Sequence, residues 1–208
     1  MDGEIVSASV IYQSSFVYEL AMLALYRKNY GVRYQAIADL IPQKASVLEL
    51  CCGPAVLYFR YLREKGIDYK GLDLNPGFVR RLTMRGVKGA VWDLRSEEPL
   101  PGADYVVMQA SLYHFLPEAS TIIDRMLKAA GRQVIIAEPV RNLATAKAPL
   151  IRYLARLLSD PGAGPQANRF TEESLDALAG RYGHRLRQSF LSAGGREKIC
   201  VFESTGEQ

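Results

Sequence analysis

Short apolar runs alternate with segments of helical periodicity between residues 45 and 138, and no other feature constrains the fold as tightly. Five of these runs have the length and apolar character of short strands in a covered sheet. They comprise residues 45–50, 69–72, 89–92, 103–109 and 133–137. Strands separated by helices form a parallel sheet with right-handed crossovers. The sequence therefore predicts an α/β fold.

Helix signals fill the intervals between these strands. Residues 55–65 have helical periodicity after the first strand. After the second strand, Asn75 supplies an N-cap and Pro76 a first helical residue. Pro117 is predicted to open a further helix that ends at Gly131.

The two ends of the chain have patterns of their own. Before the sheet, residues 12–28 and 34–40 are predicted to be helices, separated by a break at 29–31. After it come a helix over 149–158, a loop over 160–166, a helix from the cap Thr171 to about 181, and a hairpin of strands 186–191 and 198–203. We expect one domain over 1–208, made of N-terminal helices (1–44), a core (45–138), a lid-like insert (139–170) and a final helix and hairpin (171–208).

Composition excludes several classes of protein. The 208 residues are 49% hydrophobic and 23% charged, which is typical of a globular chain rather than a disordered one. No stretch approaches the roughly 20 apolar residues of a membrane span, and the first residues lack the features of a secretory signal. The three cysteines, two of them adjacent, suit neither a disulfide framework nor a metal site. We expect a cytoplasmic protein without a bound metal.

The net charge of +4 is concentrated in one segment. Residues 141–170 contain five basic side chains and one acidic one, while the remaining 21 basic and 21 acidic residues balance. Such a segment fits either a solvated helix face or contact with an anionic partner. On the second interpretation the substrate is anionic or lipid-like, and the segment makes transient contact with an anionic membrane surface. The basic residues are Arg141, Lys147, Arg152, Arg156 and Arg169, and the acid is Asp160.

Acidic residues stand at the ends of three successive predicted strands. Glu49 ends the first, Asp73 follows Gly53 by twenty residues and ends the second, and Asp93 follows the third. A carboxylate at the second position can accept hydrogen bonds from ribose hydroxyls, and one at the third from an adenine amino group. A dinucleotide is disfavoured, because the first turn lacks G-x-G-x-x-G and Pro54 removes an N–H that would bind phosphate. The pattern favours a cofactor without phosphates.

Two segments resemble those of class I S-adenosylmethionine-dependent methyltransferases of the small-molecule type. Residues 49–55 (ELCCGPA) are similar to the family's D-x-G-x-G-x-G motif, and residues 104–115 (DYVVMQASLYHF) resemble its fourth-strand segment. The resemblance covers about residues 45–138. It implies a seven-stranded Rossmann-like sheet, mostly parallel with one antiparallel strand and flanked by helices. It also implies in-line methyl transfer from S-adenosylmethionine to a small acceptor, with S-adenosylhomocysteine (SAH) as the product.

The resemblance implies a set of cofactor-binding residues. Glu49, Gln109 and Ala110 would lie at the methionine end of the cofactor, and Asp73 would hold the ribose. Tyr18, in its Tyr-Glu context, fits the N-terminal tyrosine that related enzymes place over the cofactor. The full implied set is Glu49, Cys51, Gly53, Asp73, Leu74, Asp93, Leu94, Gln109, Ala110 and Tyr18.

The acceptor side is less sharply defined. The resemblance puts Tyr113 and His114 near the mouth of the substrate site. His114 is either a general base for O- or N-methylation or a polar residue at a helix start. Glu138 and Arg141 either face the substrate or form a salt bridge at a helix entry.

Departures from the family motif leave alternatives open. Cys51 and Ala55 replace two motif glycines, although both are small enough for close backbone approach. Glu49 and Asp93 also fit the simpler role of turn caps. A non-catalytic module that binds S-adenosylmethionine or SAH is one alternative function, and an RNA methyltransferase is another. The segment that begins at Gln109 lacks the D/N/S-P-P-Y/F motif that holds a flipped base, which disfavours amino methylation of a base. Because the charge outside 141–170 is balanced and no RNA-binding module is evident, a nucleic-acid partner is not expected. The oligomeric state is left open.

Overall fold

A seven-stranded sheet forms the centre of the molecule in the computed structural model, which describes residues 30–141 and 169–204. The strands are β1 (Ser46–Leu50), β2 (Asp68–Asp73), β3 (Lys88–Val91), β4 (Ala103–Gln109), β5 (Ala130–Pro139), β6 (Leu186–Leu191) and β7 (Glu197–Glu203). The α-helices are α1 (Tyr30–Leu40), α2 (Pro76–Met84), α3 (Ala119–Ala129) and α4 (Glu172–Gly180). Short 3-10 helices span Arg63–Lys65, Leu112–Phe115 and Gly183–Arg185.

The strand order is β3-β2-β1-β4-β5-β7-β6. Strands β1 to β5 pair in parallel, and β7 runs antiparallel to both of its neighbours. The fold predicted from the sequence is thereby confirmed. After β1 the chain adds β2 and β3 on one side and β4 and β5 on the other, which creates a switch point between β1 and β4. Ligands of open parallel sheets bind outside the carboxyl ends of the strands at such a point.

Both faces of the sheet are covered by apolar side chains. One face carries a single buried cluster that includes Ile37 of α1, Leu82 of α2 and Leu57, which follows the turn after β1. On the other face, Met126 of α3 and Leu175 of α4 belong to a second cluster. Burial on both faces explains why the central strands are almost continuously apolar in sequence.

Two predicted helix caps are confirmed by their hydrogen bonds. The Asn75 side chain accepts from the backbone N–H of Gly77 at 2.8 Å, with Pro76 as the first helical residue. Thr171 Oγ1 accepts from the N–H of Ser174 at 3.2 Å. These caps begin α2 and α4 where the sequence predicts them.

A break between helices is predicted at 29–31, of which the structure describes residues 30 and 31. The prediction is wrong for these two residues, because α1 begins at Tyr30 and runs through Gly31. A Cβ atom on Gly31 would lie 2.9 Å from the hydroxyl of Tyr61. The glycine therefore permits close packing of α1 against Tyr61 and does not end a helix.

Two other helix predictions need correction. The helix predicted over 55–65 is irregular, since a π-helix over Tyr58–Leu62 leads into a 3-10 turn. Its aromatic side chains pack in the tertiary structure, and the ring of Tyr58 stacks 4.4 Å from that of Tyr69. The helix predicted to open at Pro117 and end at Gly131 is α3, which begins at Ala119. It ends at Ala129, because Ala130 already belongs to β5.

Several predictions fall outside the described residues. They are the helices over 12–28 and 149–158, the loop over 160–166, and with them most of the predicted insert. The division into a core and a lid stays a prediction. None of the helices within 30–141 and 169–204 combines the length and the apolar character that a bilayer crossing requires.

Candidate functional site

The turn after β1 is built on three residues with left-handed backbone conformations. The φ angles of Cys51, Gly53 and Ala55 are 52°, 52° and 53°, at the three positions that are glycine in the motif. Left-handed φ is easily adopted only by glycine, and it costs other residues about 1–2 kcal/mol. The chain thus keeps the bent turn even where cysteine and alanine replace glycine. A Cβ atom placed on Gly53 would meet nothing within 4 Å, so the turn faces open space there.

Asp73 connects the end of β2 to this turn. Its Oδ2 accepts from the backbone N–H of Gly53 at 2.8 Å, and its Oδ1 accepts from that of Asn75 at 2.8 Å. Burial raises the pKa of this carboxyl, and the two backbone hydrogen bonds oppose the rise. Each oxygen retains a second lone pair for another donor. The next side chain, Leu74, is 56% exposed, so an apolar surface lies beside the carboxylate.

Glu49 is buried beneath the turn, between two hydrogen-bond donors. The hydroxyl of Tyr69 donates to its Oε2 at 2.6 Å, and Nε2 of Gln109 donates to its Oε1 at 3.0 Å. Burial raises the pKa of Glu49 to about 7, although both hydrogen bonds act to lower it. Gln109 is also buried, and its Oε1 has no hydrogen-bond partner among the described residues. Glu49 and Gln109 therefore form a hydrogen-bonded pair at the ends of β1 and β4, in which Gln109 Oε1 is left to accept a hydrogen bond.

Asp93, the acidic residue after β3, caps a turn, which is the simpler of the two roles predicted for it. Asp93 is exposed, and its Oδ1 accepts from the N–H of Arg95 at 2.9 Å, which caps a turn. The Leu94 side chain is buried in the core, and its carbonyl oxygen accepts from Arg125. Adenine contacts from this segment stay a prediction.

The connection after β4 is held by Glu138, at the end of β5. Glu138 Oε1 accepts from the backbone N–H groups of Ser111 and Leu112, both at 2.7 Å. Ala110 has a φ of 48° and donates its N–H to the carbonyl oxygen of Ala137 at 2.7 Å. Burial raises the pKa of Glu138 to about 7. From the sequence, Glu138 is expected to be a substrate contact or part of a salt bridge. Its role as the anchor of this connection depends on the pairing of β4 with β5, which a local pattern does not reveal.

His114 and Tyr113 follow in the 3-10 helix over Leu112–Phe115. Their ring centroids are 4.0 Å apart, and Tyr113 is buried while His114 is half-buried. The central guanidinium carbon of Arg169 lies 3.5 Å from the centroid of the Tyr113 ring. His114 also lines a cleft of about 810 Å³ between residues 94–100 and α3, which adjoins the predicted adenine end rather than the turn at Gly53.

Other candidate groups give weaker indications. Burial raises the pKa of the Cys51 thiol well above its ordinary value, which disfavours a nucleophilic thiolate. Tyr18 lies outside the described residues. Within the described part of the chain, His, Cys, Asp and Glu side chains do not gather in groups of three or more that could hold a metal ion.

A family model described as methionine biosynthesis protein MetW matches residues 32–148, which include β1 to β5 and the whole turn at the switch point. The chain belongs to the MetW family. Among curated relatives, this MetW-family chain is similar to trans-aconitate 2-methyltransferase from Mycobacterium tuberculosis, at 35% identity over 114 residues. It is also similar to the protein of that name from Mycobacterium marinum, at 30% identity over 113 residues. Each match covers 53% of this chain and only 42% of the relative.

Two solved methyltransferase structures have the same fold. Magnesium protoporphyrin IX methyltransferase from Synechocystis PCC 6803, crystallised with bound SAH, has a TM-score of 0.63 at 15% identity and covers 95% of this chain and 98% of its own. A TehB-like methyltransferase from Corynebacterium glutamicum has a TM-score of 0.63 at 18% identity and covers 94% of this chain and 100% of its own. The resemblance predicted from the sequence is therefore confirmed for the fold, and this MetW-family protein has a class I methyltransferase sheet.

Proposed function

We propose that this MetW-family protein is an S-adenosylmethionine-dependent methyltransferase whose acceptor is a small molecule bearing carboxylates. The observation that carries the proposal is the hydrogen bond from Gly53 to Asp73, which joins an acidic strand end to a left-handed turn. The bond puts a carboxylate and an open glycine surface together at the switch point, with the exposed Leu74 next in the chain. Nucleoside ligands bind at such points in parallel sheets.

The residues at this edge fit S-adenosylmethionine, which supplies an electrophilic methyl group on a sulfonium. Asp73 would accept hydrogen bonds from the ribose hydroxyls through the lone pairs that its backbone bonds leave available. Leu74 would cover adenine, and Gly53 allows the ligand to approach the backbone. Gln109 Oε1, buried and without a partner among the described residues, would accept a bond from the methionine ammonium group. Glu49 would hold Gln109 in place through their hydrogen bond.

The other predicted cofactor contacts have supporting roles in this proposal. Cys51 and Ala110 would keep the two backbone bends that border the ligand, since both have left-handed φ angles. Asp93 retains an oxygen for the adenine amino group, and Leu94 would supply backbone at the adenine edge. Tyr18 would cover the cofactor from the N-terminal segment.

A carboxylate acceptor is favoured by the names of the relatives and of the family, and by the positive charge of residues 141–170. The curated relatives are called trans-aconitate 2-methyltransferases, and trans-aconitate is a tricarboxylate. The family is described as a methionine biosynthesis protein, and methionine also bears a carboxylate. The basic excess of the chain lies within 141–170. A carboxylate oxygen is ionised at neutral pH, so the protein would need to orient the acceptor and exclude water rather than remove a proton.

A methyl-transfer screen tests this proposal. The purified protein would be incubated with S-adenosylmethionine and single acceptors: trans-aconitate, citrate, free α-amino acids, the triamide of trans-aconitate, anionic phospholipid vesicles and RNA. We expect SAH to form with carboxylates and not with the triamide. Formation of SAH only with vesicles or only with RNA would contradict the acceptor class. Binding of the cofactor without turnover of any acceptor would instead favour a non-catalytic binding module.

A further inference from the structure

Arg169 lies over an aromatic ring at the carboxyl edge of the sheet. Its central guanidinium carbon is 3.5 Å from the centroid of the Tyr113 ring, and the side chain is half-buried. At that distance the guanidinium lies directly over the ring face. A guanidinium has five N–H donors in one plane, and contact with a single ring does not occupy all of them.

The charge of Arg169 has no carboxylate partner in the described part of the chain. Several other cations of the described residues are paired, for example Lys198 with Asp176 at 2.5 Å. Arg169 acts electrostatically on Glu138, but the two side chains do not come within the 4.0 Å of an ion pair. Glu138 Oε1 is already occupied by the N–H groups of Ser111 and Leu112. Burial raises the pKa of Glu138 to about 7, and the two backbone N–H groups and the charge of Arg169 oppose the rise.

Arg169 precedes α4 and contacts Tyr113, which follows β4 at the carboxyl edge of the sheet. The order β2-β1-β4-β5 runs from Asp73 at the predicted ribose, through Gly53 and Gln109, to the connection that carries Tyr113. A ligand that follows this order has its reactive end next to Tyr113. Among the described residues, an arginine without an ion pair therefore lies beside the predicted acceptor end.

We infer that Arg169 is a specificity-determining residue that binds a carboxylate of the methyl acceptor, with Tyr113 as the platform that orients it. The inference rests on the proposed function and deepens it by assigning the acceptor's anionic group to one residue. A planar guanidinium binds a carboxylate through two parallel hydrogen bonds, which lysine cannot reproduce. The neighbouring Glu138 uses its Oε1 to accept from two backbone N–H groups and forms no ion pair with the guanidinium.

Direct binding tests this assignment without relying on turnover. Calorimetry would measure SAH binding first, and then trans-aconitate binding to the SAH-saturated protein, for wild type, Arg169→Gln, Arg169→Lys and Arg132→Gln. Arg132 is the matched control, because it is exposed and lies near the opposite end of β5. We expect SAH affinity to be equal in all four proteins. Affinity for trans-aconitate should fall by about tenfold to a hundredfold in Arg169→Gln, less in Arg169→Lys, and not in Arg132→Gln.

The outcomes separate this inference from the proposed function. Equal trans-aconitate affinity in wild type and Arg169→Gln, or no carboxylate binding by the SAH-saturated wild type, would overturn the role of Arg169. If the wild-type protein does not bind SAH at all, the proposed function would be overturned instead. Tyr113→Leu provides a second variant: if the ring is the platform, it should weaken trans-aconitate binding in the same direction while SAH affinity is retained.

Discussion

The carboxylate of Asp73 accepts a hydrogen bond from the backbone N–H of Gly53, with 2.8 Å between Oδ2 and N. This bond joins two strand ends that are twenty residues apart in sequence and adjacent in the sheet. It couples the residue proposed to hold the ribose to the turn proposed to lie beneath the cofactor. A change at either residue should therefore affect both.

Replacement of Asp73 by asparagine should weaken cofactor binding and lower stability. An amide has one acceptor oxygen, so its NH₂ group would face the N–H of either Gly53 or Asn75. We expect SAH affinity to fall at least tenfold and the free energy of unfolding to fall by about 1–3 kcal/mol, as measured by calorimetry and urea unfolding.

Asp68→Asn is the matched control for that change. Asp68 begins the same strand at its other end, is exposed, and pairs with Lys88 on the surface. An exposed ion pair contributes about 0–1 kcal/mol, so this variant should bind SAH as the wild type does. Equal losses of affinity in the two variants would mean that Asp73 has no specific role.

Gly53→Ala separates backbone strain from ligand contact. Alanine at a φ of 52° should cost about 1 kcal/mol of stability, although its Cβ would meet no protein atom. Gly86→Ala is a control of the same kind, since Gly86 has a φ of 72° and also has open space around its Cβ position. Both variants should lose similar stability, and only Gly53→Ala should lose SAH affinity, by tenfold or more. Unchanged SAH affinity in Gly53→Ala would place the cofactor elsewhere.

Glu49 should make stability depend on pH in an identifiable window. Its pKa is about 7 in the folded protein, against an ordinary value of 4.5 that applies to the unfolded chain. The folded state therefore binds more protons between these values, and this contribution to the free energy of unfolding falls as pH rises through the window. It can amount to about 3 kcal/mol and is constant above pH 7 to 8.

Urea unfolding from pH 5 to 8 checks this expectation. Because Glu49→Gln removes the titration, the variant should gain stability relative to wild type as pH rises. Glu138→Gln should behave in the same way, since burial also raises the pKa of Glu138 to about 7. Glu64→Gln, at an exposed position, should run parallel to wild type. A constant difference between Glu49→Gln and wild type across this range would refute the raised pKa.

His114→Gln tests whether the acceptor needs a base. With a carboxylate acceptor we expect kcat within about threefold of wild type, because a general base is worth about a hundredfold or more only when a proton must be removed. His184→Gln is the control, since His184 is exposed on a separate 3-10 turn. A hundredfold fall in kcat for His114→Gln alone would make this histidine catalytic and point to a hydroxyl or amine acceptor.

Much of the fold could be predicted because its determinants are local. Strands buried on both faces leave apolar runs, so β4 has the predicted bounds of 103–109. Asn75 and Thr171 begin helices through hydrogen bonds to residues two and three positions away. Gly31 misled the prediction because its role is to accommodate Tyr61, which is distant in sequence. Local patterns carry no information on such contacts.

The candidate site also has residues that the sequence predicts and contacts that it does not. Glu49 and Asp73 could be assigned to one sheet edge, since the carboxyl ends of parallel strands meet there. The hydrogen bond between Glu49 and Gln109 joins residues sixty positions apart and depends on strand register. The contact of Arg169 with Tyr113 likewise depends on tertiary packing. A single sequence specifies neither of these pairings.

Calorimetric titration of the purified chain with SAH, and in parallel with NAD⁺, tests the central claim most directly. The turn at Gly53 has one motif glycine and Pro54 lacks an N–H, so the site should bind a nucleoside without phosphates and reject a pyrophosphate. We predict micromolar binding of SAH with one site per chain and no heat of binding for NAD⁺. Failure to bind SAH, or binding of NAD⁺ with equal affinity, would contradict the account.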